Sequence, residues 1–199
     1  SAQILYPLMQ AADIYHLEAD IAQLGLDQRK VNMLARDIFP KLGLHPPIAL
    51  HHHMLLGLQF KDTEGMNAVD KKIELKMSKS KPETAIFMTD TTDDIRRKFK
   101  KAYCPEGVAE DNPVLEYCKY IVFERIEEFV VDRPEKFGGP LTFTSYQELE
   151  DKKKKKELHP MDLKTATARY IDQYIEPVRR HFQEDPKAKE LLETVNSYY

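Results

Sequence analysis

Two cysteines, Cys104 and Cys118, are all that 199 residues contain. They are too few and too far apart for a disulfide framework or a zinc site, so reduced structural thiols are expected. No apolar run approaches the length that spans a bilayer. The opening Ser1-Ala2-Gln3-Ile4-Leu5 has neither the basic region nor the apolar block of a signal peptide. A cytoplasmic location without membrane attachment is therefore the expectation. Internal repeats are absent, and the only biased tract is the five lysines Lys152 to Lys156. An excess of one charge is also lacking: the net charge of −3 taken alone argues against a general nucleic-acid binder.

With 42% hydrophobic and 32% charged residues, the chain reads as a soluble globular protein with one good core or two modest ones. Its cations are not evenly spread. They cluster at Arg29-Lys30, 71–81, 96–101 and 152–156, as expected of a protein that meets nucleic acid on one face only.

Along the chain, Ile4-Leu5 reads as a strand end and Pro7 as the first turn of a helix over 7–17, because its missing N–H costs nothing there. Tyr6, Gln10, Asp13, Ile14 and Leu17 fall at spacings that line one helix face. That face mixes polar and apolar groups and is either a surface boundary or the wall of a pocket. After Gly25, Asp27 is expected to cap a helix over 28–37 that Pro40 stops. Ile48-Ala49-Leu50 is a strand candidate running into His51-His52-His53. Adjacent strand residues alternate faces and no other ligand lies at metal spacing, so a structural role outweighs a metal site. Two strand candidates cannot make an independent parallel sheet, so further strands are expected from sequence before Ser1 or from another chain.

The second part reads as all helix. Thr91 or Thr92 before Asp93-Asp94 starts one, with Lys98, Lys100 and Lys101 at its C-terminal end. Helices are expected over 113–123, from a capping box of Ser145 and Glu148 to 156, over 160–182 and over 187–198. Phe129-Val130-Val131 is a possible short strand leading to a turn at Arg133 to Gly139.

Between the two parts, in a long polar connection over 57–82, stands Lys76-Met77-Ser78-Lys79-Ser80. Two lysines and two hydroxyls tethered by Met77 make a compact cation suited to a polyphosphate. A solvated basic loop is the simpler reading of an arbitrary lysine-rich pentamer.

The pentapeptide is identical to the signature loop of class I aminoacyl-tRNA synthetases. With it, in order, stand Tyr6-Pro7-Leu8-Met9-Gln10-Ala11-Ala12-Asp13-Ile14, Gly25 to Lys30, Arg133 to Gly139 and His159-Pro160-Met161-Asp162-Leu163-Lys164. Over nearly its whole length the chain thereby resembles the C-terminal portion of tyrosyl-tRNA synthetases of the archaeal and eukaryotic type. The resemblance implies α/β followed by all-α: the second half of a Rossmann-like catalytic domain (1–88), then a helical anticodon-binding domain (89–199).

It also implies tyrosine–tRNA ligase activity, with L-tyrosine, ATP accompanied by Mg2+ and tRNA(Tyr) as substrates, no protein-bound metal, and a homodimeric full enzyme. Asp13 would accept the phenolic hydroxyl, with Tyr6, Gln10 and Gln28 accepting from the ammonium, while Ile14 and Leu17 pack on the ring. A buried partner for the phenol is what rejects phenylalanine. Lys76 and Lys79, helped by Ser78 and Ser80, would neutralise the transferring and leaving phosphates. Arg29 and Lys30 resemble readers of the first acceptor-stem pair. Phe137 would stack on the first anticodon base and His159 and Asp162 bond its edge. The His-x-Gly-His half of the ATP site does not occur. The chain alone is therefore expected to be inactive without an N-terminal half, and the alternative is a non-catalytic tRNA-binding module or one subunit of a split synthetase.

Overall fold

The computed structural model describes residues 2–59, Met77 and 81–198. The chain divides into two compact units, 1–54 and 55–199. This division falls before the expected boundary at 88. Its cause is Leu58, fully buried in the core of the second unit, whose N–H donates to Thr84 O (2.8 Å) and whose carbonyl accepts from Tyr103 N (2.7 Å).

The first unit is built from helix α1 (Ala2–His16), strand β1 (Ile21–Gly25), helix α2 (Arg29–Ile38) and strand β2 (Ile48–His52). The strands pair in parallel from Ile21↔Ile48 to Gly25↔His52. Two expectations fail here. Ile4-Leu5 is helical, and Pro7 sits inside α1 and not in its first turn. A proline this near the N-terminus removes one intrahelical bond and leaves the rest of the ladder intact. The strand is instead Ile21–Gly25, entered through a left-handed Glu18 (φ 49°). Asp27 does not cap α2 either. Residues 26–28 form a 3-10 turn, the N-terminal residue of α2 has no side-chain cap, and the Asp27 carboxylate accepts from Gln28 Nε2 at 3.2 Å. A small core of Ala11, Ile14, Ala22, Ala35 and Phe39 joins α1, α2 and the sheet.

The second unit is not all-α. Beside helix α3 (Thr92–Lys101), helix α4 (Pro113–Tyr117) with its π-helical extension Cys118–Val122, α5 (Tyr146–Lys154), α6 (Pro160–Glu184) and α7 (Pro186–Asn196) stands an antiparallel pair, β3 (Phe129–Val131) with β4 (Leu141–Phe143). Thr91 and Asp94 make a complete capping box on α3. On α5 the Ser145 hydroxyl accepts from Glu148 N, but the Glu148 carboxylate turns to Thr144 N at 2.9 Å. Ile95, Phe99, Leu115, Phe129, Leu163 and Ile171 belong to one continuous core. Two lysines expected in solvated helix ends are buried: Lys98 and Lys153.

Candidate functional site

In the first unit, Tyr6, Gln10, Asp13 and Ile14 of α1, Leu17 just after it and Gln28 of the turn after β1 line one cavity of about 520 Å3. The polar–apolar mix of this helix face is thus a wall. Ile14 is buried, whereas Tyr6 (58%) and Leu17 (78%) stand largely exposed, so the cavity is open on that side. The opposite wall comes from β1, through Ala22, Gln23 and Leu24. Sequence reasoning missed these, because Ile21, Ala22 and Leu24 are all apolar while their burial alternates, with Ile21 exposed and Ala22 buried. Gln28 reaches the cavity because the chain turns sharply at the carboxyl end of β1, where parallel α/β units bind ligands. At Gly25, whose backbone is extended, a Cβ would stand 2.7 Å from Asp27 Oδ1 and 3.2 Å from Met54 Sδ, so those side chains would have to shift.

The cavity carries one carboxylate, Asp13, and the neutral oxygens of Tyr6, Gln10, Gln23 and Gln28. Such a set can hold an ammonium and accept from a hydroxyl while apolar side chains cover a ring. In the same unit, Asn32 is fully buried and its Nδ2 lies 3.0 Å from His51 Nε2, which ties α2 to β2. Among the described residues no group of three or more histidines, cysteines or carboxylates could hold a metal ion. Arg29 and Lys30 stand exposed in the first turn of α2.

Lys76, Ser78, Lys79 and Ser80 lie outside the described residues. The described residues 55–59 and 81–198 are held within the second unit. Met77 is half-buried against the core. On the near side the Leu56 N–H donates to Glu116 Oε2 at 2.8 Å. On the far side Glu83 pairs with Arg97 and, at 3.8 Å, with Lys101. The Arg97 hydrogen bond holds the Glu83 carboxyl below the usual carboxylate range. Thr84 is buried, and Lys98 Nζ donates to Ala85 O (2.9 Å) and Asp90 Oδ2 (2.6 Å).

Phe137 ends a 3-10 turn and is 62% exposed, with Lys136 Nζ 4.9 Å from its ring centre. His159 is the N-cap of α6: its Nδ1 accepts from Met161 N at 3.2 Å. Asp162 lies in the first turn. Arg133 ties the 133–139 turn to the segment before α6, donating to Gly139 O (3.0 Å) and Glu157 O (3.5 Å).

Residues 1–176 match the family described as class I tRNA synthetases (W and Y). The tyrosine–tRNA ligases of Saccharolobus islandicus (strain L.S.2.15 / Lassen #1) and Thermococcus sibiricus are 44% and 42% identical to this chain, each over 98% of it. The chain spans 55% and 56% of their lengths. Pyrococcus horikoshii tyrosyl-tRNA synthetase complexed with L-tyrosine superposes with a TM-score of 0.85 at 41% identity, covering 97% of this chain and 56% of that one.

Proposed function

This chain belongs to the class I tRNA synthetases of the tryptophan and tyrosine type, and from that premise we propose that it carries the tyrosine- and tRNA-recognising machinery of a tyrosine–tRNA ligase. It corresponds to the C-terminal portion of such an enzyme: residues 1–88 to the second half of a Rossmann-like catalytic domain and 89–199 to the anticodon-binding domain. The complete ligase activates tyrosine with MgATP to tyrosyl-adenylate and transfers the tyrosyl group to tRNA(Tyr).

The observation that carries this reading is the shared cavity of Tyr6, Gln10, Asp13, Ile14, Leu17 and Gln28. Asp13 accepts the phenolic O–H, which phenylalanine would leave without a donor. Tyr6, Gln10 and Gln28 accept from the ammonium, and Ile14 and Leu17 flank the ring. The tyrosine carboxylate attacks the α-phosphate, so no side-chain nucleophile is needed. Lys76 and Lys79, with Ser78 and Ser80, offset the charge on the phosphates, and positioning supplies the remainder. Arg29 and Lys30 meet the acceptor stem. Phe137, His159 and Asp162 hold the first anticodon base by stacking and edge contacts.

Tyrosine-dependent ATP–pyrophosphate exchange tests the reading, on this chain alone and mixed with an N-terminal synthetase fragment. Exchange in the mixture, lost in Asp13→Ala and in Lys79→Ala, is the expected result. No exchange in either sample, together with retained binding of tyrosine tRNA, would replace it with a non-catalytic tRNA-binding module.

A further inference from the structure

The second unit has a cavity of about 340 Å3 that the tyrosine site does not use, bordered by α3, α6 and the end of β3. Four cations line it: Arg96 and Lys100 from α3, Lys164 and Arg169 from α6. Arg96 and Lys100 are four residues apart and so share a helix face. In a chain of net charge −3, such a concentration is not a by-product of overall basicity.

The two carboxylates in the same cavity are already engaged. Asp132 pairs with Arg169, whose second nitrogen donates to Val130 O at 2.7 Å. Asp172 accepts from Thr92 Oγ1 (3.0 Å) and pairs with Arg179 (3.0 Å). Arg169 is thus held within the protein, and three cations are left to face a ligand. Among the described residues the ion-pair contact of Arg96 is with Asp93 at 3.9 Å, and both side chains are mostly in water. Lys100 has no carboxylate partner among the described residues. Lys164 Nζ donates to Lys100 O at 3.2 Å, which brings the two lysine-bearing turns together.

The position of the cavity narrows the choice of ligand. Met161, on its rim, lies between His159 and Asp162 in the first turn of α6. Long cations that reach water, Arg96 and Lys100 exposed and Lys164 half-buried, suit a phosphodiester, whereas base edges are read elsewhere.

We infer that Arg96, Lys100 and Lys164 bind a backbone phosphate of an RNA loop whose neighbouring base is held at Phe137, His159 and Asp162. The inference rests on the tRNA reading above. The site fixes the register of the loop and carries no sequence information of its own.

The test uses the full chain and a labelled RNA hairpin with a GUA loop, beside the same hairpin with adenine replacing the guanine, titrated at several salt concentrations. Arg96→Gln and Lys100→Gln should each weaken both hairpins several-fold. Each should also lower the slope of log affinity on log salt by about 0.7, with the guanine preference unchanged and the thermal melt unaltered. Phe137→Ala should do the converse, reducing the preference without changing the slope. If the wild-type chain binds the hairpin and the glutamine variants keep its affinity and slope, the phosphate site is overturned while the tRNA reading survives. Binding of inorganic phosphate that these variants abolish, with hairpin binding intact, would overturn it in favour of a small-anion site. Failure of the wild-type chain to bind the hairpin overturns both.

Discussion

Lys98 Nζ stands 2.6 Å from Asp90 Oδ2 with both side chains almost entirely out of water, at 3% and 11% exposure. The pair is completed by Ala85 O and Phe87 N, and the ammonium lies 4.7 Å from the Phe87 ring centre. It pins the segment that follows Lys76–Ser80 onto α3. Removing one partner strands a buried charge. Asp90→Ala is expected to cost about 3–5 kcal/mol of stability, read as a lower urea midpoint. The double variant Asp90→Leu/Lys98→Met should recover most of that loss, because no charge is then left unpaired.

The capping box of α3 gives a signed pH dependence. Thr91 hydroxyl and Arg97 hydrogen bonds lower the Asp94 carboxyl from 3.8 to about 2. A depressed carboxyl contributes stability that is present above its unfolded value and lost as pH falls through its folded one. Between about pH 4 and 2 the wild-type protein should therefore lose stability more steeply than Asp94→Asn. Denaturant midpoints measured across that window are the check, and parallel slopes would contradict the assignment.

Burial pushes the Cys118 thiol up to about 12, partly offset by its contact with Thr167 Oγ1 at 3.2 Å. A thiol held protonated and out of solvent does not attack. Ellman's reagent at pH 8 should leave Cys118 unmodified in the native protein and modify it once denaturant is added.

Lys153 is fully buried at the foot of α5, and desolvation lowers its pKa. Charging it in the folded state is costly below that lowered value, and the cost is relieved as pH rises toward the ordinary 10.5. Lys153→Met should raise the melting temperature at neutral pH and flatten its rise toward alkaline pH.

Gly25→Ala tests the turn that brings Gln28 to the cavity. The new methyl must displace Asp27 and Met54. Both are ends of flexible side chains, so the fold should survive with a small change in melting temperature. Tyrosine affinity, measured in the mixture with an N-terminal synthetase fragment, should fall several-fold.

What the sequence made legible was local. Thr91 before Asp93-Asp94 and Pro160 each announce a helix start, and α3 and α6 begin there. The spacing of Tyr6, Gln10, Asp13, Ile14 and Leu17 likewise needed only a helix to bring them to one wall. What stayed hidden depends on distant partners. Strand β1 is recognisable only through its pairing with residues 27 positions on, from Ile21 to Ile48, and the three residues of β4 have no pattern of their own without β3. Lys98 and Lys153 look solvated in a one-dimensional reading because nothing near them in sequence shows which face the core will take. The early unit boundary has the same origin, since the burial of Leu58 is decided by Thr84 and Tyr103.

The cap on α6 fixes the chemistry His159 offers outward. A neutral imidazole whose Nδ1 accepts the Met161 N–H must carry its proton on Nε2. One turn of helix therefore selects the tautomer, and the free edge of the ring is a donor. Three residues on, the Asp162 carboxylate can only accept. The N-terminal end of α6 thus presents one donor and one acceptor side by side, the donor's place on the ring chosen by the helix itself.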